Sequence, residues 1–219
     1  MKRIVIFGAG GHGREVAEVL RNQARQTTGM SVLGFVVDDP GIHSPVVNDL
    51  PVLGDWSWFQ GIDRNEIAIV CAVGSPRTRA RIIARARSTG LSFCNAISPH
   101  AYVSPDAKTG EGMMILPNTV VNTDTSIGDH TIINVGATVS HDTQIGQYCT
   151  INPGVHLAGN VSVGEGCLLG IGVSVIQGIK IGAWTTIGAG AVVTRDLPEG
   201  VTAVGVPAKV SKTRETSYD

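Results

Sequence analysis

From Ile97 to Val193 a branched aliphatic residue returns at every sixth position. Ile115, Val121, Ile127, Ile133, Val139 and Ile145 are among them, and Thr109 is the one exception in seventeen. Four residues after most of them, a small or β-branched residue recurs, as at Ala101, Thr119, Thr131, Ala137, Cys149 and Cys167. Glycine often follows the aliphatic residue directly, as at Gly128, Gly146, Gly164 and Gly182. A period of six belongs neither to an amphipathic helix nor to a simple alternating strand. It fits a short strand followed by a tight turn, repeated. Three such units make a triangular coil of 18 residues, and stacking the coils sets residue i beneath residue i+18 at the ~4.8 Å spacing of paired strands. The aliphatic residues then point into the prism axis and stack on their own kind. Cys149 and Cys167 fall in one such column, which accounts for their spacing without a disulfide.

Composition agrees with thin, repetitive layers: 28 glycines and only 5% aromatic residues. The net charge of −1 gives no basic surface for nucleic acid or anionic lipid. No stretch reaches the ~20 apolar residues of a membrane span. The opening MKRIVIFGAGGHG reads as a strand running into a glycine loop rather than as a secretory leader. The four cysteines show no CxxC spacing and read as reduced core residues of a cytoplasmic protein.

The first 95 residues have a different grammar. RIVIF (3–7) reads as a buried strand. Gly8, Gly10 and Gly13 match G-x-G-x-x-G, and REVAEVLRNQ continues as a helix. A second strand, SVLGFVVDD, ends in Asp38 and Asp39; a third, EIAIVCAVG, leads through Gly74 to a helix opened by Pro76. Alone, this outline suggests NAD and an oxidoreductase. Against that reading, the region is too short for both halves of a full dinucleotide domain. His12 also crowds the glycine turn, and no hydride-transfer residues follow. What stands is a parallel sheet whose loops after Gly8, Asp38 and Gly74 gather at the carboxyl ends of the strands, where such folds bind ligands.

The hexads, the closing AVGVPAKV (203–210) and this front end together resemble the hexapeptide-repeat sugar O/N-acyltransferases of the sialic acid acetyltransferase type, which include bacterial nucleotide-amino-sugar N-acetyltransferases. The resemblance implies an α/β N-terminal domain with a small Rossmann-like parallel sheet (1–95), an all-β left-handed parallel β-helix (96–205) and a C-terminal tail (206–219). It implies acetyl-CoA as co-substrate and a homotrimer; a metal is not expected, because His130, His141 and His156 lack the close pair of histidines, five apart, of the β-helical metal sites. The nucleotide-linked sugar is placed at Gly10, Gly11, His12, Asp38, Asp39 and Gly74. Asp38 and Asp39 also read as caps of a turn, but all three loops carry suitable residues at once, which favours the ligand.

VSHD (139–142) is where the resemblance locates the chemistry. His141 lies two residues past the aliphatic Val139, near a turn of the prism. A histidine has an ordinary pKa suited to a general base, and a neighbouring carboxylate favours its protonated form. Read alone, it is a solvated turn residue. The family pattern N-x-x-x-x-V-x-H-D/E, matched from Asn134 to Asp142, makes His141 the base, Asp142 its modulator and Asn134 a sugar contact. The family's acyl-CoA side falls on Thr150, Gly159, Ile171 and Ala189, with the Gly159 N–H, one coil above His141, as oxyanion donor. Thr150 departs from the histidine common there. His156 reads as lining the same groove; His100 and His130 read as exposed turn residues, and His43 lies in a Pro/Gly loop. The resulting expectation is acetyl transfer from acetyl-CoA to the amino group of a nucleotide-linked 4-amino-4,6-dideoxysugar. O-acetylation, an NAD-dependent oxidoreductase and a non-catalytic solenoid are the alternatives.

Overall fold

The structure, a computed structural model, describes residues 2–38 and 44–213. The chain divides into two compact units, residues 1–99 with 111–114, and residues 100–110 with 115–219.

The first unit is built on β1 (Lys2–Phe7), the central strand of a sheet. Its apolar run is buried on both faces, with Val5 and Ile6 at 0% exposure, as a strand covered by helices requires. β1 pairs in parallel with β2 (Met30–Val36) on one side and β5 (Ile67–Cys71) on the other. β4 (Leu50–Gly54) extends the sheet beside β2, and β6 (Ser92–Phe93) extends it beside β5. The sequence reading missed a hairpin: β3 (Val46–Val47) runs antiparallel to β4 across Asn48 and Asp49, both at positive φ. That dipeptide between apolar runs is itself a hairpin signal. α1 (Gly11–Gln26) starts at an N-cap glycine, Gly10, and buries Val16, Val19 and Leu20. Gly13 has a steric reason: a Cβ there would lie 2.0 Å from the Gly8 carbonyl oxygen, so helix and strand meet this closely only without a side chain. α2 (Pro76–Ser88) opens with Pro76 after Ser75, whose hydroxyl accepts from the Thr78 N–H.

The second unit is the prism. Up to Val193 its strands are two residues long, and they form three parallel sheets. Pairing runs in steps of 18: Val120 with Thr138, Thr138 with His156, His156 with Ser174, Ser174 with Val192. Val121, Ile133, Val139, Ile151, Leu169 and Ile187 are fully buried along the axis. Thr109, the exception in the repeat, is exposed, and Val103 is only half-buried, because these residues belong to the end of the stack. The second inward column explains its own residue types. Thr131, Thr143 and Cys149 are buried, and each donates to a carbonyl of the coil above, at Gly146, Ala158 and Gly164. Small hydrogen-bonding side chains therefore fill the space without leaving a buried donor unmet. All four cysteines are free thiols. Burial pushes the Cys71 thiol up to about 12. The stack ends with Lys209–Thr213, a strand antiparallel to Val201–Val204, within the segment read from sequence as a tail.

Candidate functional site

From the hexad of Thr109 to that of Ile187 the chain turns at the third residue past the repeat position, and that residue takes a left-handed backbone. Asn118, Asp124, Asp142, Asn160 and seven glycines, residues that tolerate positive φ well, occupy most of these places, and His130, Tyr148 and Trp184 occupy the other three. Asp142, at φ 59°, thus has a backbone reason to be where it is. It has a second one in its contacts. Its Oδ2 lies 2.8 Å from His141 Nδ1. With the Nδ1 proton donated to that carboxylate, Nε2 keeps a bare lone pair. Both side chains are more than half exposed, 63% and 61%, so the pair stands out from the corner into solvent.

Above the imidazole is Gly159. A Cβ on Gly159 would fall 2.6 Å from His141 Cε1 and 2.7 Å from Nε2. The missing side chain makes the room in which the ring lies. The Gly159 carbonyl accepts from the Gly178 N–H, while its own N–H has no acceptor among the described residues. His141, Asp142 and Gly159 are therefore one constellation: a ring nitrogen, a carboxylate orienting it and a free backbone donor on the next coil.

The remaining residues proposed for the prism stand elsewhere on it. Asn134, Ile171 and Ala189 lie at the preceding corner, and Asn134 Oδ1 accepts from the adjacent Val135 N–H at 2.8 Å. Ile171 is 62% exposed. Thr150 is buried on the strand Thr150–Ile151, on the face opposite the His141 corner. His156 is exposed, with Nδ1 2.8 Å from Thr138 Oγ1. His130 corrects the sequence reading: it is fully buried, its ring stacked on Tyr148 one coil up at 5.6 Å. A groove of about 750 Å³ runs past Gly146, Gly164 and Gly182 and holds none of the proposed residues.

In the first unit, one cleft of about 630 Å³ gathers Gly10, Gly11, His12, Asp38, Gly74 and Thr78. It lies at the carboxyl ends of β1, β2 and β5, the place the topology dictates. Asp39 lies outside the described residues. His12 Nδ1 is 3.3 Å from Glu15 Oε2. Burial is the main cause that holds the His12 pKa below its ordinary value, with Glu15 opposing and Arg79 assisting. Arg79 is fully buried under this loop and donates to the Val73 and Gly74 carbonyls at 2.6 and 3.1 Å. Asp38 Oδ1 accepts from the Trp56 N–H at 3.2 Å. Among the described residues no cluster of three or more His, Cys, Asp or Glu side chains could hold a metal ion. No helix among them is long and apolar enough to cross a membrane.

Comparison with known proteins adds the decisive observation. The PglD N-terminal domain family matches residues 3–86, and the bacterial transferase hexapeptide family matches residues 142–170 and 160–195. The H141N variant of perosamine N-acetyltransferase from Caulobacter crescentus, in complex with CoA and GDP-perosamine, is 42% identical at a TM-score of 0.86. That alignment covers 95% of this chain and 96% of that one. The acetyltransferase domain of PglB from Neisseria gonorrhoeae is 34% identical at 0.87, covering 95% and 98%. WeeI from Acinetobacter baumannii is 25% identical at 0.81, covering 96% and 100%. Among curated proteins none matches.

The chain belongs to the hexapeptide-repeat sugar acyltransferase family. In this acyltransferase the prism is accordingly a left-handed parallel β-helix. The sequence reading overlooked one group of polar residues beside the glycine-loop cleft. Asp55, Trp56 and Arg85 line a second cavity of about 490 Å³ that shares Val37 and Asp38 with the first. Asp55 precedes the 3-10 turn Trp56–Phe59 and accepts from the Ser57 N–H at 2.8 Å. Its bonds to Ser57 hold its carboxyl below the ordinary value. The one signal in the sequence was DWSW, a capping carboxylate before tryptophan.

Proposed function

We propose that the chain transfers an acetyl group from acetyl-CoA to the amino group of a nucleotide-linked 4-amino-4,6-dideoxysugar, with His141 as general base. The observation that carries the reading is the His141–Asp142 pair beneath the bare Gly159. Asp142 orients the ring through Nδ1, and Nε2, beneath Gly159, is left to take a proton. As the amine nitrogen bonds to the thioester carbonyl carbon, Nε2 accepts the proton it sheds. The Gly159 N–H donates to the developing oxyanion. Collapse breaks the carbon–sulfur bond, and the proton passes from His141 to the departing CoA thiolate. The glycine-loop cleft of the first unit takes the nucleotide, with the backbone at the start of α1 facing its phosphates. Relatives solved with CoA and GDP-perosamine, and with acetyl coenzyme A, support this pair of ligands.

Asn134, Ile171 and Ala189 sit one corner away from His141 on the same prism. If both corners serve one transfer, the second must come from another copy of the chain, which supports a homotrimer with sites between subunits.

A thiol-release assay of acetyl-CoA against a panel of nucleotide amino sugars tests the activity, with His141→Ala as the control. The variant should lose about 10²–10⁴-fold in kcat while KM for acetyl-CoA stays near wild type. Its activity should recover toward high pH, where a sugar amine is already deprotonated. Without that recovery the acceptor is a hydroxyl, and near wild-type kcat at neutral pH would reduce His141 to an orienting residue.

A further inference from the structure

Gly159 presents its N–H from the turn Ala158–Val161, and a hydroxyl in the core shapes that turn from behind. Thr143, on the coil below, is fully buried. Its Oγ1 donates to the Ala158 carbonyl at 3.1 Å and accepts from the Val161 N–H at 3.4 Å. The His141 carbonyl, at 3.5 Å, is the more distant acceptor. One hydroxyl therefore bridges both ends of the turn that carries Gly159. At the preceding corner the turns close directly: the Val155 N–H donates to the Asn152 carbonyl and the Val173 N–H to the Gly170 carbonyl, both at 3.3 Å. The Ala158 carbonyl and the Gly159 N–H belong to one planar trans peptide, in which they point opposite ways. With the carbonyl held inward on Thr143, the N–H is held outward, away from the core. It has no acceptor there among the described residues, as an oxyanion donor requires. A hydrogen bond on the carbonyl also polarises the peptide and strengthens its N–H as a donor.

Space-filling does not call for the hydroxyl. In the coils above, the same inward column is filled by Val161, Ile179 and Leu197, all buried. Valine has the shape of threonine, so the bridge to Ala158 and Val161 is what distinguishes Thr143. We propose that Thr143 is the positioning residue of the oxyanion donor: its hydroxyl sets the plane of the Ala158–Gly159 peptide and so aims the Gly159 N–H at the thioester carbonyl oxygen. This rests on the reading of His141 and Gly159 as the acetyl-transfer site. Thr131 supplies an internal control. It makes the same bridge at the corner of Gly146, donating to the Gly146 carbonyl at 2.8 Å and accepting from the Cys149 N–H at 3.1 Å, away from His141.

Thiol release at saturating acetyl-CoA, with a thermal melt alongside, tests it on the full chain and on Thr143→Val, Thr143→Ser and Thr131→Val. In Thr143→Val the Val161 N–H and the Ala158 carbonyl lose their shared partner and turn toward each other, which rotates the peptide between Ala158 and Gly159. Removing an oxyanion donor outright costs about 10²–10³-fold in kcat, so misaiming one should cost Thr143→Val about 10- to 100-fold. KM for acetyl-CoA should stay within about twofold of wild type. The pH profile of kcat should keep its shape, because His141 and Asp142 are untouched. Thr143→Ser returns the hydroxyl and should recover most of the rate. Thr131→Val should lower Tm as much as Thr143→Val does and leave kcat at the wild-type level. Wild-type kcat in Thr143→Val, an equal loss in Thr131→Val, or a serine variant as slow as the valine one overturns the role of Thr143 and leaves the acetyl-transfer reading standing. Absence of thiol release by the wild type with every nucleotide amino sugar overturns both.

Discussion

Adding one methyl group at Gly159 isolates the position of the His141 ring from everything else around it. The backbone at Gly159 is not in the left-handed region, so Gly159→Ala meets no conformational penalty there. The new Cβ would fall 2.6 Å from Cε1, 2.7 Å from Nε2 and 3.1 Å from Nδ1. Ordinary carbon contacts begin near ~3.5 Å, so the ring must retreat by about 1 Å. It can do so at little cost to folding, because the imidazole is 63% exposed. Stability should change by less than about 1 kcal/mol. The same movement strains the 2.8 Å bond to Asp142 and carries Nε2 away from the attacking amine. A misplacement of that size costs about 10²-fold in rate. The Gly159 N–H survives the substitution, so an oxyanion donor is still present, and the loss reports the ring alone. The assay is thiol release at saturating acetyl-CoA, with a thermal melt in parallel. A variant with wild-type kcat would refute the argument that the ring's position beneath Gly159 matters. A large drop in Tm would refute the argument that the collision is relieved by moving the ring alone.

Asp38→Ala should weaken the nucleotide sugar far more than acetyl-CoA, since it frees Arg85 from its place on Trp56; equal loss of both would place the nucleotide elsewhere. The exposed Asp38–Arg85 pair itself contributes little to folding, so the melt should move by no more than ~1 kcal/mol of stability. A thiol reagent should modify one cysteine per native chain, Cys94, and four after unfolding, because Cys71, Cys149 and Cys167 are buried; fast labelling of more than one would contradict the core described above. His12 should make the protein less stable as pH falls below about 6.5, where the unfolded chain takes up a proton that the folded site, with its lowered pKa, resists until lower pH. His12→Gln should flatten that part of the profile of Tm against pH, and an unchanged slope would assign the acid sensitivity to other groups.

The β-helix was legible in the sequence because its contacts are a counting rule. Each inward residue meets its own kind 18 positions away, so register, the buried columns and even the placement of Gly159 over His141 follow from arithmetic. The glycine loop was legible for a related reason: Gly13 is forced by a backbone contact five residues away. Where burial depends on what covers a residue rather than on its place in the repeat, counting failed. His130 has the turn phase of an exposed residue yet is fully buried against Tyr148, and Thr150 is buried on its face of the prism. The second cavity was beyond the sequence altogether. Asp38 follows β2, Trp56 follows β4 and Arg85 lies on α2, and no periodicity links them. Only the packing of that helix and that turn beside the sheet brings a carboxylate, an indole and a guanidinium together. The repeat thus determined the scaffold that presents His141, because stacked coils make distance in sequence equivalent to distance in space. The residues around the nucleotide cleft were decided by tertiary structure, because in a layered α/β unit that equivalence does not hold.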